Sequence, residues 1–204
     1  MQEINNQQDI TNKHLKTTCS QQEVAGTDFK MYPYVHMDSG PSFSNDQISY
    51  IWYQMERDRT WRKVFYDGSV QSEGDFLQFI QKPDINFFLL CEGDVAGGFI
   101  WLTPMATHSS WIHFCCFSNS WGKCGFARPM LRWALQSVLN MKGPDGKDII
   151  STLMGLTPAN NKLACQFAFD VGMQVVGIAP GAIYNNYTDT HVPGLITYIN
   201  KAVN

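Results

Sequence analysis

Apolar positions recur along this chain at two periods. Around Ser44 the period is helical: Ile48, Ile51, Trp52 and Met55 fall on one face. Ser44 and Gln47 have the spacing of a capping box and predict where that helix starts. The residues from Glu56 to Arg62 read as its charged end. A second helix carries Phe76, Phe79 and Ile80, with Ser72 and Asp75 as candidate caps. It has to stop before Pro83, because the residue preceding a proline avoids helical dihedrals.

From residue 86 the pattern changes to short apolar runs. Residues 86–92, 95–102 and 110–117 read as an antiparallel meander, with Gly93-Asp94 as its first turn. Gly97-Gly98 marks a bend or a close backbone approach. Residues 127–140 return to helical spacing, with Leu131, Ala134, Leu135 and Val138 as the stripe and Pro129 in the first turn. Residues 149–156 predict a buried strand. Thr157-Pro158 then reads as an N-cap and first helical residue. The helix it opens carries Leu163, Phe167 and Val171 on one face and ends at Gly172. Residues 175–178 and 195–199 are the last strands, joined by a long loop rich in Tyr, Asn and Asp. Residues 29–37 predict a short edge strand around Pro33. Residues 1–28, rich in Gln, Asn and Thr, read as a polar, flexible arm, which leaves 29–204 as a single domain.

Composition narrows the function classes. The 204 residues are 44% apolar, enough for a sizeable core, and the net charge of −3 with no basic stripe gives no nucleic-acid footprint. The N-terminal residues lack the apolar stretch of a secretory signal, and no run has the length of a membrane span, so a cytoplasmic protein is expected. Of six cysteines, Cys91, Cys115, Cys116 and Cys165 sit in apolar patterns and no CxxC pair occurs. Reduced, buried thiols and no metal site are expected.

The candidate chemistry lies at the end of the meander. A strand closing with Cys115, Cys116 and Phe117 runs into a loop, Gly122-Lys123-Cys124-Gly125-Phe126-Ala127, that opens a helix. Free N–H groups and the positive end of the helix dipole meet at such a junction, which suits a pyrophosphate. Gly125 would let the backbone approach that group, Ala127 would keep the helix start slim, and Lys123 would add charge.

Three landmarks in this order resemble the GNAT superfamily of acyl-CoA-dependent N-acyltransferases, over roughly residues 42–180. They are the Gly-Asp hairpin with Val95-Ala-Gly-Gly-Phe-Ile-Trp101, the loop Gly122-Lys-Cys-Gly125-Phe-Ala127, and Asn161-x-x-Ala164 followed by Gly172-Met173. The resemblance implies an α+β three-layer fold: a mixed, mostly antiparallel sheet, splayed between two strands, with helices on both faces. It implies acetyl-CoA as co-substrate, direct acetyl transfer to an amine acceptor, and no metal. The cofactor-binding residues would be Cys115, Cys116, Phe117, Gly122, Lys123, Cys124, Gly125, Phe126, Ala127, Asn160 and Asn161. The 115–117 strand would pair with the pantetheine amides and hold the oxyanion, and Asn160 or Asn161 would reach the pantetheine arm.

His113 is the candidate catalytic base, since imidazole with its ordinary pKa near 6.5 can take an amine proton at neutral pH. An equal reading is a half-buried histidine on an apolar strand. His108 and Glu92 are reserve bases. Gly122 replaces the family's Gln or Arg, and Ala168 stands where many members carry a tyrosine general acid. Tyr184 and Tyr187 are candidates for the missing acid. These departures keep open an inactive GNAT-fold protein, a CoA-binding module or a phage virion or assembly component that docks through the N-terminal arm. Details around Ile112-His-Phe and Gly177-Ile-Ala-Pro180 resemble a phage-encoded branch, which would place the protein in a virion. A homodimer is compatible with either reading.

Overall fold

The computed structural model describes residues 28–38, 40–122 and 125–201. The expected arm lies outside the described residues, apart from Asp28, and so do Lys123 and Cys124 of the glycine loop. In chain order the strands are β1 (Phe29–Pro33), β2 (His36–Met37), β3 (Gly40–Pro41), β4 (Asn86–Glu92), β5 (Val95–Ala106), β6 (Ser109–Cys116), β7 (Thr152–Pro158), β8 (Gln174–Asn185) and β9 (Thr190–Asn200). The helices are α1 (Asn45–Arg57), α2 (Trp61–Val64), α3 (Glu73–Ile80), α4 (Ala127–Leu139) and α5 (Lys162–Asp170). Seven strands make one sheet in the order β1-β4-β5-β6-β7-β9-β8, and β2 pairs with β3 apart from it.

Every neighbouring pair in the large sheet is antiparallel except β6 and β7, which run parallel. Side chains alternate across a strand, so Phe99 and Ile100 of β5 enter different cores. Phe99 joins Phe76, Phe87 and Met55 under α1 and α3, while Ile100 joins Met130, Leu131 and Ala134 of α4. The sheet is therefore covered on both faces, as the mostly antiparallel α+β architecture requires.

Several local expectations hold. The capping box at Ser44 and Gln47 is formed in both directions, and Ser72 caps α3 by accepting the Asp75 N–H. The Gly97-Gly98 step is a close approach. A side chain on Gly98 would overlap the backbone of Cys115 and Cys116, and one on Gly97 would overlap the ring of Phe126. Glycine here lets β5 and β6 nest and seats the residue that begins α4.

Other boundaries move. Helix α1 ends at Arg57, and Thr60 starts the separate turn of α2, so residues 56–62 are not one charged helix end. Thr157 and Pro158 stay in β7, whose pairing with β9 reaches the Pro158–Gly194 pair. Asn161 is the actual cap of α5, its side-chain oxygen accepting the Ala164 N–H at 3.3 Å. The predicted face of that helix also shifts: Leu163 is 82% exposed, and Cys165, Ala168 and Val171 face inward. The long loop expected after residue 178 is mostly strand, since β8 and β9 pair as a hairpin out to Asn185 and Thr190. Two register irregularities on β8 had hidden its period.

Candidate active site

β6 and β7 pair only through Ser109–Trp111 and Thr152–Met154. Beyond Trp111 they diverge, and a cleft of about 420 Å³ opens through the sheet. Gly155, Leu156 and Thr157 of β7 form one wall, and Ile112 to Cys116 of β6 the other. β6 alternates across this gap. His113 and Cys115 lie toward α1–α3, and Phe114 and Cys116 toward α4 and α5. Accordingly His113 stacks on Trp101, with ring centroids 4.5 Å apart and planes 5° from parallel, whereas Phe114 packs on Phe167 of α5.

On the α4 side the wall combines Gly122, Gly125 and Ala127 with Trp121 and Arg128. A 3-10 turn, Ser118–Ser120, leads from β6 into the glycine loop. Asp58, at the end of α1, holds that turn: its carboxylate accepts the Ser118 N–H and hydroxyl, each at 2.6 Å, and pairs with Arg57 at 2.9 Å. Burial opposes ionisation of Asp58, but the hydrogen bonds from Arg57 and Ser118 win and hold its carboxyl below the usual range. No side chain caps α4. The N–H groups of Ala127 and Arg128 have no acceptor within the helix, and Pro129 has no N–H to offer. Arg128 lines the cleft and is tied to Asp170 at 2.7 Å.

Six of the expected site residues line the cleft besides His113: Cys115, Cys116, Gly122, Gly125, Ala127 and Asn161. Phe117 and Phe126 do not. Phe117 is fully buried and its N–H donates back to Gly97 of β5 at 2.9 Å, so it is spent on the sheet. Phe126 is an anchor beneath α4. Asn160 is exposed outside the cleft. Asn161 lines it, but its side-chain oxygen already serves as a helix cap.

Gly125 has a different role from the expected one. A Cβ there would overlap the carbonyl oxygens of Ser120 and Trp121, so this glycine closes the loop on itself. Its N–H is also engaged, by the Gly122 carbonyl at 3.2 Å. Gly122, with φ of +92°, faces open space. The exposed Trp121 reaches back and donates its indole N–H to the Cys116 carbonyl at 3.0 Å. One of the strand groups expected to meet pantetheine therefore already has a partner.

The α1–α3 side supplies what the sequence did not single out: Thr60, Lys63, Val64 and Tyr66 line the cleft beside Trp101 and His113. Their only signal was a cluster of aromatic and cationic residues just past a helix end. Burial, countered weakly by Asp67, pushes the His113 imidazole down to about 4, so it is neutral at pH 7 and far from the ordinary value. Burial raises the Cys115 thiol to about 12 and raises Cys116 further, so neither is a thiolate. Burial also raises Tyr66, with Asp67 adding to it. Among the reserve residues, His108 holds the Ile149 carbonyl at 3.3 Å, and neither it nor Glu92 lines the cleft. Tyr184 donates to Asp189 at 2.6 Å, and Tyr187 packs edge-on against Trp61; neither lines the cleft.

The fold as a whole is similar to that of solved structures. An acetyltransferase of Salmonella typhimurium that modifies the N-terminal serine of ribosomal protein L7/L12 superposes with a TM-score of 0.68, at 10% identity over 90% of this chain and 100% of that one. The microcin C7 self-immunity acetyltransferase MccE, in complex with acetyl-CoA and AMP, gives 0.61 at 12% identity, covering 85% and 93%. A spermidine N-acetyltransferase of Vibrio cholerae, in complex with CoA and spermine, gives 0.61 at 14%, covering 85% and 95%. The fold is that of the GNAT acetyltransferases. No protein-family model and no curated protein matches the chain in sequence. The GNAT-fold neighbours lend no support to a phage-encoded branch. Among the described residues, no helix is long and apolar enough to cross a membrane.

Proposed function

We propose that this protein transfers an acetyl group from acetyl-CoA to an amine. The observation that carries the reading is the cleft through the sheet between β6 and β7, with the uncapped N-terminus of α4 at one end and His113 on the opposite face. The pyrophosphate would lie against the N–H groups of Ala127 and Arg128, with the Arg128 guanidinium beside it. The pantetheine arm would run between Gly155–Thr157 and β6. Because Phe117 donates to β5, the alternation of the ladder turns the N–H groups of Cys116 and Phe114 toward the gap. Either could hold the oxyanion of the tetrahedral intermediate.

The amine would enter from the α2 side. Its nitrogen attacks the thioester carbon, the C–N bond forms, the C–S bond breaks, and the thiolate leaves. A buried imidazole with a pKa of about 4 is a poor store for a proton but a good acceptor of a hydrogen bond. His113 would therefore orient the amine lone pair and relay its proton to solvent. Ala168 supplies no acid, so water protonates the thiolate.

A second reading, a CoA-binding module without transfer, draws on two observations: Ala168 at the usual acid position, and the Trp121 indole on the Cys116 carbonyl. Calorimetric titration with acetyl-CoA, followed by an assay of amine-dependent thiol release, separates the two. Arg128 lies on the surface, so Arg128→Glu should keep the fold while lowering acetyl-CoA affinity at least tenfold, about 1.4 kcal/mol. Unchanged affinity in this variant would remove the cofactor assignment.

A further inference from the structure

We infer that the acceptor amine carries an anionic group, a carboxylate or a phosphate, and that Lys63 at the cleft mouth receives it; this rests on the acetyl-transfer reading above. Among the described residues, no Asp or Glu lines the cleft. Its two permanent charges are both positive, and they lie on opposite sides of the sheet. Arg128 is committed to Asp170 on the α4 side, whereas Lys63 is absent from the ion pairs of the described residues, which use Lys30, Arg57, Arg128, Lys142, Lys147 and Lys201.

The surroundings of Lys63 reinforce its sign. From Glu56 to Lys63 the chain carries Arg57, Arg59, Arg62 and Lys63 against the carboxylates of Glu56 and Asp58, in a chain whose net charge is −3. Asp58 is paired with Arg57 and accepts hydrogen bonds from Ser118, which leaves Arg59, Arg62 and Lys63 as the cations of this stretch outside that pair. Arg59 is held at a left-handed φ of 54°, where a residue with a side chain is strained, so the segment keeps a fixed, unfavourable path past the cleft. Arg62 lies over the rings of Trp61 and Tyr187, at 4.8 and 5.4 Å. Asp67, whose charge is felt at His113 and Tyr66, accepts the N–H and hydroxyl of Ser69 within its own loop and forms no ion pair with Lys63.

A mouth of this kind concentrates anions and repels cations. A polyamine entering it would bring its second ammonium to Lys63 with no carboxylate to receive it. A small amine with an anionic tail would meet Lys63 at one end and present its nitrogen to neutral His113 at the other. Tyr66 and Trp101 would flank the chain between them.

The test uses the full chain, acetyl-CoA and a broad panel of primary amines containing matched sets: β-alanine with β-alaninamide, phosphoethanolamine with ethanolamine, and spermidine. The expected result is that the fastest acceptors are anionic, the matched sets separating carboxylate from phosphate. Lys63→Gln should cut their advantage over the neutral partners about tenfold, through KM rather than kcat. Lys63→Glu should turn the preference toward spermidine. Lys63 is exposed, so both variants should fold. Faster turnover of neutral or polycationic amines by the native protein, or an equal loss on all acceptors in Lys63→Gln, overturns the inference. So does acetyl-CoA binding with no amine accepted. Failure to bind acetyl-CoA overturns the acetyl-transfer reading itself and this inference with it.

Discussion

On the α4 and α5 side, four small residues, Gly122, Gly125, Ala127 and Ala164, bring main chain to the cleft between the longer Trp121, Arg128, Leu163 and Phe167, whereas on the α1–α3 side the longer side chains of Lys63, Tyr66, Trp101 and His113 line it. The first wall comes largely from one continuous stretch, the turn after β6 and the start of α4. The second is assembled from α2, the turn beyond it, β5 and β6. A wall rich in backbone N–H groups suits a phosphate-bearing ligand. A wall of side chains can be changed one residue at a time. If this division is right, cofactor binding should respond to loop geometry and acceptor chemistry to side-chain identity.

The largest effect should come from the loop. In Gly125→Ala the added methyl meets two backbone carbonyls that cannot move without opening the turn. Destabilisation of about 2 kcal/mol or more is expected, together with loss of acetyl-CoA affinity by at least ~100-fold. Gly122→Ala is the control. Its methyl points into open space and its cost is that of the left-handed φ alone, about 1 kcal/mol. Thermal unfolding and calorimetry of the two variants side by side check this. Equal effects would mean that conformational freedom, and not closure of the loop, is what glycine supplies here.

The same contrast explains how much was legible in the sequence. The α+β class, the meander, both early helix caps and the glycine loop were readable because each is a local pattern: a period, a cap spacing, a turn dipeptide. Thr157-Pro158 misled because a Thr-Pro pair is as good an end for an edge-exposed strand as it is a helix start, and pairing with β9 decided the matter. β8 was cut short because its register slips twice. Lys63 and Tyr66 were missed for a different reason: their place depends on where α1 stops, and the break at Asp58 is fixed by Ser118, sixty residues away. His113 was singled out by position and lines the cleft, but its lowered pKa was not legible, because burial against Trp101 is a tertiary fact.

The second prediction concerns that histidine. His113→Phe should preserve the stack on Trp101 and leave acetyl-CoA affinity unchanged, while lowering kcat about 100-fold or more. It should also change the pH profile of stability. Native His113 is neutral down to about pH 4, whereas in the unfolded chain it protonates near 6.5. The unfolded state therefore binds the extra proton between those values. The contribution is full above pH 6.5, falls as pH drops toward 4, and levels off below. Between pH 7.5 and pH 5 the native protein should lose about 2 kcal/mol more than the phenylalanine variant. Denaturant unfolding at the two pH values measures this. Parallel profiles would mean that the imidazole is solvated, and the side-chain wall would lose its central member.

The smallest effect bears on the backbone wall, where Leu163 is the one large apolar side chain that both lines the cleft and lies 82% exposed. If the cofactor is held by N–H groups and shape, Leu163→Ser should alter unfolding free energy by less than about 0.5 kcal/mol, as expected for a surface position. It should weaken acetyl-CoA by no more than about threefold. An apolar group so exposed in the free protein gains most if a ligand covers it, and burying a leucine side chain is worth about 1.5–3 kcal/mol. A loss of tenfold or more in calorimetry, without a change in stability, would mean that α5 closes over the cofactor through Leu163. The α4–α5 wall would then be a mixed one, built from side chain where it meets solvent and from main chain where it meets phosphate.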